Sequence, residues 1–393
     1  MSGPSKLPEV GATFLKLGLT SFGGPVAHLG YFRRECVERR RWLDEAAYAD
    51  LVALCQVLPG PSSSQVAFGL GMRRAGLAGA LLASACFMLP SAALMVAFAQ
   101  GVTTLGNPGA SGWLRGLKLA AVAVVARAVW AMARTLCPDW PRRIAAAAAA
   151  ALVLSVSHPA AQIGVIVAFA LAGSLATKRG PNSGPADLGR QHAWAAAALV
   201  LFGLLLVVLP VAARIAPGRG VEMFTGFYRS GALVFGGGHV VLPLLRSAVV
   251  MPGWISDNAF LAGYGAVQAM PGPLFTFAAY LGAMVLPGQP AWCGALLALL
   301  AIFLPGWLVV GGAYPFWTVL RSRGWFQGAI RWANVAVVGV LLAALWRPLA
   351  TESITGPREM ALAVAALVLL SFQRFPQWAV VVLLAAAGQV FLR

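Results

Sequence analysis

The sequence predicts an all-α polytopic membrane protein made of two inverted-topology repeats with broken or re-entrant helices. Three observations predict it. Sixty percent of the 393 residues are apolar and only 10% are charged, with a mean hydropathy of +0.79, too apolar a balance for a conventional soluble surface. The segment from Phe14 to Arg134 recurs as the segment from Phe227 to Arg347. Basic residues flank corresponding segments of the two copies on opposite sides.

A bilayer core about 30 Å thick requires roughly 20 apolar residues per helix. Ordinary spans are read at 77–99, 113–134, 193–213, 291–313 and 327–346, with hairpins through 144–177 and 360–392. Two further apolar runs carry helix breakers at their middles: Gly23-Gly24-Pro25 within 14–31, and Pro59-Gly60-Pro61 within 51–72. Proline removes a donor and clashes with the preceding turn. A broken hairpin survives at membrane depth only where protein or a water-filled cavity satisfies its backbone. With four such hairpins the chain crosses about nine times, and with every apolar run crossing about 13 times.

The repeat is dense. Phe22-Gly23-Gly24 matches Phe235-Gly236-Gly237, Trp42 matches Trp254, Gln56 matches Gln268, and Pro59-Gly60-Pro61 matches Pro271-Gly272-Pro273. Further along, Leu89-Pro90 matches Leu304-Pro305, Trp113 matches Trp325 and Gly116 matches Gly328. This divides the chain into a first repeat at 1–176, a linker with a connecting transmembrane helix at 177–222, and a second repeat at 223–393. Orientation follows from charge, because cytoplasmic loops collect Lys and Arg. Arg33, Arg34, Arg39, Arg40 and Arg41 follow the first FGG segment, whereas 247–258 has neither Lys nor Arg. Arg73 and Arg74 stand against a neutral 287–290, and a neutral 101–112 against Arg321 and Arg323. Such alternation fits two copies inserted upside down to one another.

The 29 Lys and Arg against 12 Asp and Glu give a formal charge of +17. The basic residues sit in short breaks between apolar runs, a topology signal rather than a nucleic-acid surface, so no nucleic-acid partner is expected; the partner is the lipid bilayer. The acids fall at loops and helix ends, which argues against a cation as the transported species, since a desolvated cation needs a compensating carboxylate. Five cysteines at scattered positions show no metal spacing. No metal or other cofactor is expected. No Walker, H-E-x-x-H or G-x-S-x-G motif is present, so neither ATP-driven pumping nor an enzyme is expected.

An anion is well served where helices break, because a new helix start offers unpaired N–H groups and the positive end of its dipole. The candidate substrate-binding residues are therefore Phe22, Gly23, Gly24, Pro25, His28, Gln56, Pro59, Gly60, Pro61, Ser62, Ser63 and Ser64. In the second copy they are Phe235, Gly236, Gly237, Gly238, His239, Gln268, Pro271, Gly272 and Pro273, and Thr276 corresponds to Ser64. Each has a plainer reading: glycine pairs allow close helix packing, the serines cap a helix, the histidines are packed and hydrogen-bonded, and the glutamines satisfy broken-helix carbonyls. Lys16, Lys118, Arg127, Arg229, Arg246 and Arg331 fall within or beside apolar runs, where a charge is costly unless it snorkels or functions.

The strings FLKLGLTSFGGPVAHLGYFRRECVERRRWLDEAAYADLVALCQVLPGPSSSQVAFGLG and FYRSGALVFGGGHVVLPLL, the latter followed by AVQAMPGP, resemble the chromate ion transporter (CHR) family in its long, two-domain form. The resemblance covers nearly the whole chain. It implies a bacterial inner-membrane protein that exports chromate, with sulfate as a related tetrahedral dianion, driven by the membrane potential or proton gradient and conferring chromate resistance. Gly238 stands where the first half has Pro25, so the two tips need not bind substrate equivalently. The alternatives are a transporter or channel of similar build for another small anion, and an integral membrane enzyme. One chain carries both halves, and a homodimer is compatible with such folds.

Overall fold

The computed structural model describes residues 6–104, 112–156, 160–177, 193–235, 238–286, 288–317, 323–372 and 375–392. The polar linker from Lys178 to Arg190, the pair Gly236-Gly237, most of the neutral 101–112 loop, Pro287 and Arg321 lie outside them. Among the described residues the chain is helix without strand. The first half comprises α1 (Leu7–Thr20), α2 (Gly24–Phe32, continued by a wide turn over Arg33–Arg39), α3 (Glu45–Val57), α4 (Ser62–Thr104), α5 (Gly112–Leu136), α6 (Trp140–Ser155) and α7 (Ala160–Ala176). After α8 (Ala193–Ile215) follow α9 (Arg219–Ala232), α10 (Val241–Val249), α11 (Asp257–Val267), α12 (Phe277–Val285), α13 (Ala291–Ala313), α14 (Gly324–Ala344), α15 (Pro357–Ser371) and α16 (Gln377–Phe391). Five helical segments among the described residues, 62–104, 112–136, 193–215, 291–316 and 324–353, are long and apolar enough to cross a bilayer. The protein is thus an all-α, multi-pass membrane protein.

The predicted boundary between the 51–72 run and the 77–99 span is a real break. The backbone of α4 leaves helical geometry at Ala75 and Gly76 (φ −144° and 65°), so Ser62 to Arg74 forms a separate short helix. The other predicted spans match α5, α8, α13 and α14 within a few residues. Local chemistry sets helix starts alike in both copies: Asp44 accepts a hydrogen bond from the Ala47 amide at 2.8 Å to cap α3, and Ser256 caps α11 through the Ala259 amide at 3.3 Å.

The two copies embrace. α5 packs on α16, and α14 packs on α6 and α7. Small residues let the backbones meet: a β-carbon at Gly116 would fall onto the Leu384 carbonyl, and one at its counterpart Gly328 onto the Gly173 carbonyl and the Thr177 hydroxyl. In lipid, where water drives no association between helices, this close packing is a main source of cohesion.

Ion pairs gather the ends of the short helices. Glu9, at the start of α1, accepts from Arg40 at 3.2 Å, from Trp42 at 2.9 Å and from Arg74 at 2.6 Å. Glu35 binds Lys16, Arg39 and Arg40, while Arg33 holds Glu45 at 2.7 Å and Glu38 at 2.5 Å. The beginning of α1, the turn after α2, the start of α3 and the end of the Ser62–Arg74 helix therefore share one face. In the other copy Arg246, the counterpart of Arg33, holds Asp257, the counterpart of Glu45, at 2.6 Å. Lys16, Lys118 and Arg246, flagged as charges in apolar runs, thus have polar partners: Lys118 reaches Asn258 at 2.9 Å.

Valine at Gly116 or Gly328 should cost about 1–3 kcal/mol through overpacking, while valine at Gly101, which faces open space, serves as the control. Thermal unfolding of the purified variants checks this. Burial works against ionised Glu9 and Glu35, yet the hydrogen bonds from Trp42 and Arg74, and from Arg40 and Lys16, hold both carboxyls below the usual range. Their contribution to stability is present above the unfolded value of about 4.3 and is lost as pH falls through the depressed folded values. Glu9→Gln should therefore be less stable than wild type at pH 7 and lose less on acidification, read by melting temperature against pH.

Candidate functional site

Each helix break in one copy meets the opposite break of the other. The Gly60 amide donates to the Val234 carbonyl at 2.7 Å, and the Gly272 amide donates to the Ser21 carbonyl at 2.8 Å. Ser21 and Val234 are corresponding residues just beyond the ends of α1 and α9. Gly60 and Gly272 take φ of 125° and 92°, values open to glycine but strained for other residues. Flanking prolines contribute no amide of their own. The Gly60 backbone also lies against Gly306 of α13, and Gly272 against Ser91 of α4, which follow the matching Leu304-Pro305 and Leu89-Pro90 pairs.

This pairing corrects one expectation. The glycine N–H groups of the two Pro-Gly-Pro segments are not free to greet an anion, because each is used between the copies. The first-turn amides of α2 and α4 are not part of this pairing, and buried side chains stand beside them. Ser21 Oγ, both ring nitrogens of His28, Ser64 Oγ and Trp307 Nε1 are buried without a partner at hydrogen-bonding geometry, as is the acceptor Gln65 Oε1. Orphaned buried polar groups are rare in native interiors and each calls for a reason. These six atoms lie beside the breaks or on helices packed against them, while Ser84, Gln162, Trp317, Asn334 and Ser353 carry others elsewhere; the buried acid among the described residues, Glu35, belongs to the ion-pair cluster at the helix ends.

The two copies satisfy their breaks differently. In the first, Gln65 Nε2 donates to the Pro59 carbonyl at 2.7 Å. In the second, the Thr276 hydroxyl donates to the Pro273 carbonyl at 2.8 Å and meets Ser91 Oγ at 2.7 Å. Ser64, the counterpart of Thr276, has no such hydroxyl partner; Gly306 occupies the position that corresponds to Ser91.

The remaining expected residues are spread around this centre. Ser63 is buried, Ser62, Gly24 and Pro25 are half-buried, and Gly23 is exposed. Phe22 stacks obliquely on Trp378, 6.1 Å away. His28 lies edge-on to Phe87 at 5.4 Å, with the Ser21 main chain beside it. His239 instead binds the Tyr264 hydroxyl through Nδ1 at 2.8 Å, the plainer reading given above. Gln268 is buried and accepts from Gln377 at 2.8 Å. Gln56 is exposed: the glutamine that serves the first break is Gln65, because a residue three positions into the new helix can reach back to the break. Phe235 and Gly238 flank the second FGG break, whose Gly236 and Gly237 are outside the described residues. Gln65, Ser91, Gly306 and Trp307 were missed; the paired Leu-Pro dipeptides were the signal for the last three. Arg331, a flagged cation, lines with Val57 and Trp317 a cavity of about 270 Å³ at the end of α3.

Fold and site define a multi-pass helical membrane protein whose interrupted helices meet in reciprocal pairs around polar side chains. The chain belongs to the chromate transporter family, whose model matches residues 8–177 and again 221–389. It is 31% identical over 325 residues to a chromate transport protein of Pseudomonas aeruginosa, covering 77% of this chain and 71% of that one. It is 28% identical to a probable chromate transport protein of Synechococcus elongatus (86% and 84% covered) and 27% identical to a chromate transport protein of Cupriavidus metallidurans (96% and 91% covered). No solved structure matches it.

Leucine at Gln65 should cost about 1–3 kcal/mol by orphaning the Pro59 carbonyl, whereas leucine at the exposed Gln56 should stay within about 0.5 kcal/mol of wild type. Denaturation of the purified variants separates the two.

Proposed function

We propose that this protein is a secondary transporter that carries chromate out of the cell across the inner membrane, and that its two copies are inserted in opposite orientations with re-entrant helix pairs meeting at the substrate site. The observation that carries this reading is the reciprocal pair of hydrogen bonds, Gly60 to Val234 and Gly272 to Ser21. A rotation that exchanges the copies exchanges these bonds, as expected of paired repeats around a central site. The positive loops support the same orientation. Gathering of the ends of α1, the turn after α2, α3 and the Ser62–Arg74 helix on one face supports hairpins that enter and leave together.

Within this reading the FGG and PGP segments shape the site, and Ser21, His28, Ser64 and Trp307 supply donors to the oxyanion. A site with donors and no carboxylate suits a doubly negative tetrahedral guest. Sulfate, of the same shape and charge, is the natural competitor. Export runs downhill with an inside-negative potential, gaining about 4.6 kcal/mol per 100 mV for two charges, enough for a concentration ratio above three decades. The family and its named relatives point to transport rather than to enzyme chemistry.

The test is chromate accumulation in cells expressing wild type or variants at Gly24, His28, Pro59, Pro61 and Gly237, with membrane insertion measured in parallel. Export lost while the protein remains inserted is expected. Unchanged export in all five would remove the site, and accumulation no lower with wild type than without it would remove the function.

A further inference from the structure

The repeat is imperfect at one ion pair, and a cavity stands where it fails. In the first copy the Arg33 guanidinium is occupied on two sides, by Glu45 and by Glu38. In the second copy Asp257 reproduces Glu45, but the position of Glu38 falls on the apolar Val250-Met251 pair. Arg246 reaches a more distant second acid, Glu352, at 3.4 Å. Beside it opens a cavity of about 380 Å³, lined by Arg246, Ser247, Met251, Arg347, Glu352 and Gln162 among others. Arg347 is exposed, and no carboxylate pairs with it among the described residues. With Lys118, which reaches the Glu352 carbonyl at 3.4 Å, three cations here face the two carboxylates Asp257 and Glu352.

Leu242 and Pro243 also line the cavity, so it extends along α10 to within a turn of His239 and the second FGG break. Arg246 commits Nε and Nη2 to Asp257 and Glu352 and keeps Nη1, and Arg347 on the same cavity wall, without a carboxylate among the described residues, adds further donors suited to a tetrahedral oxyanion.

We propose that the cavity between Arg246 and Arg347 binds an oxyanion group, held where the first copy places the Glu38 carboxylate. Its role as the outward-facing vestibule of the substrate path rests on the transport reading above; the binding itself does not. The ligand chemistry has two sources, a free dianion such as sulfate or chromate, and the phosphate of an anionic lipid.

The experiment is arginine modification by phenylglyoxal on the full, purified chain, with each modified residue read by mass spectrometry. Arg127, exposed on α5, is the internal control. Sulfate should slow modification of Arg347 at least threefold and leave Arg127 unchanged, and Arg246→Gln should abolish that protection. A parallel arm adds phosphatidylglycerol to delipidated protein: protection by the lipid and not by sulfate assigns the site to lipid phosphate. Protection by neither overturns the proposal. Wild-type chromate export measured alongside keeps the two readings apart, since export without protection removes only the vestibule and protection without export removes only the transport reading.

Discussion

The structure depends on a backbone problem and the way it is met. A helix interrupted inside a membrane leaves amides and carbonyls that hydrocarbon cannot satisfy. In this chain each Pro-Gly-Pro glycine donates to the carbonyl at the opposite copy's helix end, so each copy supplies what the other lacks. Within each copy a side chain, Gln65 or Thr276, serves only a proline carbonyl, and the glycine amide goes to the other copy. The reciprocal packing of α5 on α16 and of α14 on α6 and α7 has the same logic, because each copy's long helix is seated on the terminal hairpin of the other.

Much of this was legible in the sequence because its causes are local or periodic. Apolar runs of bilayer length located α5, α8, α13 and α14, and Pro59-Gly60-Pro61 and Pro271-Gly272-Pro273 located breaks that α3, α4 and α11 confirm. What the sequence did not disclose was partnership. Nothing local to Gly60 says that its amide is committed to Val234, since that bond joins residues far apart in the chain and exists only once both copies are docked. Gln56 and Gln65 were equally plausible by composition. Only the three-dimensional path of the new helix decides that Gln65 can bend back to Pro59 while Gln56 faces outward.

The same limit explains the charges. Lys16, Lys118 and Arg246 read as costly because they interrupt apolar runs, yet each sits where a partner from another element arrives. Arg33–Glu45 and Arg246–Asp257 are one interaction made twice. These four residues stand at matching positions of the repeat, on either side of its one-residue deletion, so the repeat itself marks the pairing.

Departures from the repeat carry information of a different kind. Identical copies would give identical, interchangeable surfaces, and this chain departs from that at the breaks themselves. Side chains make the copies differ here while the backbone framework stays common: Gln65 serves one break and the Thr276–Ser91 pair the other. The hydroxyl that Thr276 commits to Ser91 is uncommitted at Ser64, where Gly306 removes the partner. On the transport reading proposed above, the first copy's break is therefore the one with a hydroxyl to spare.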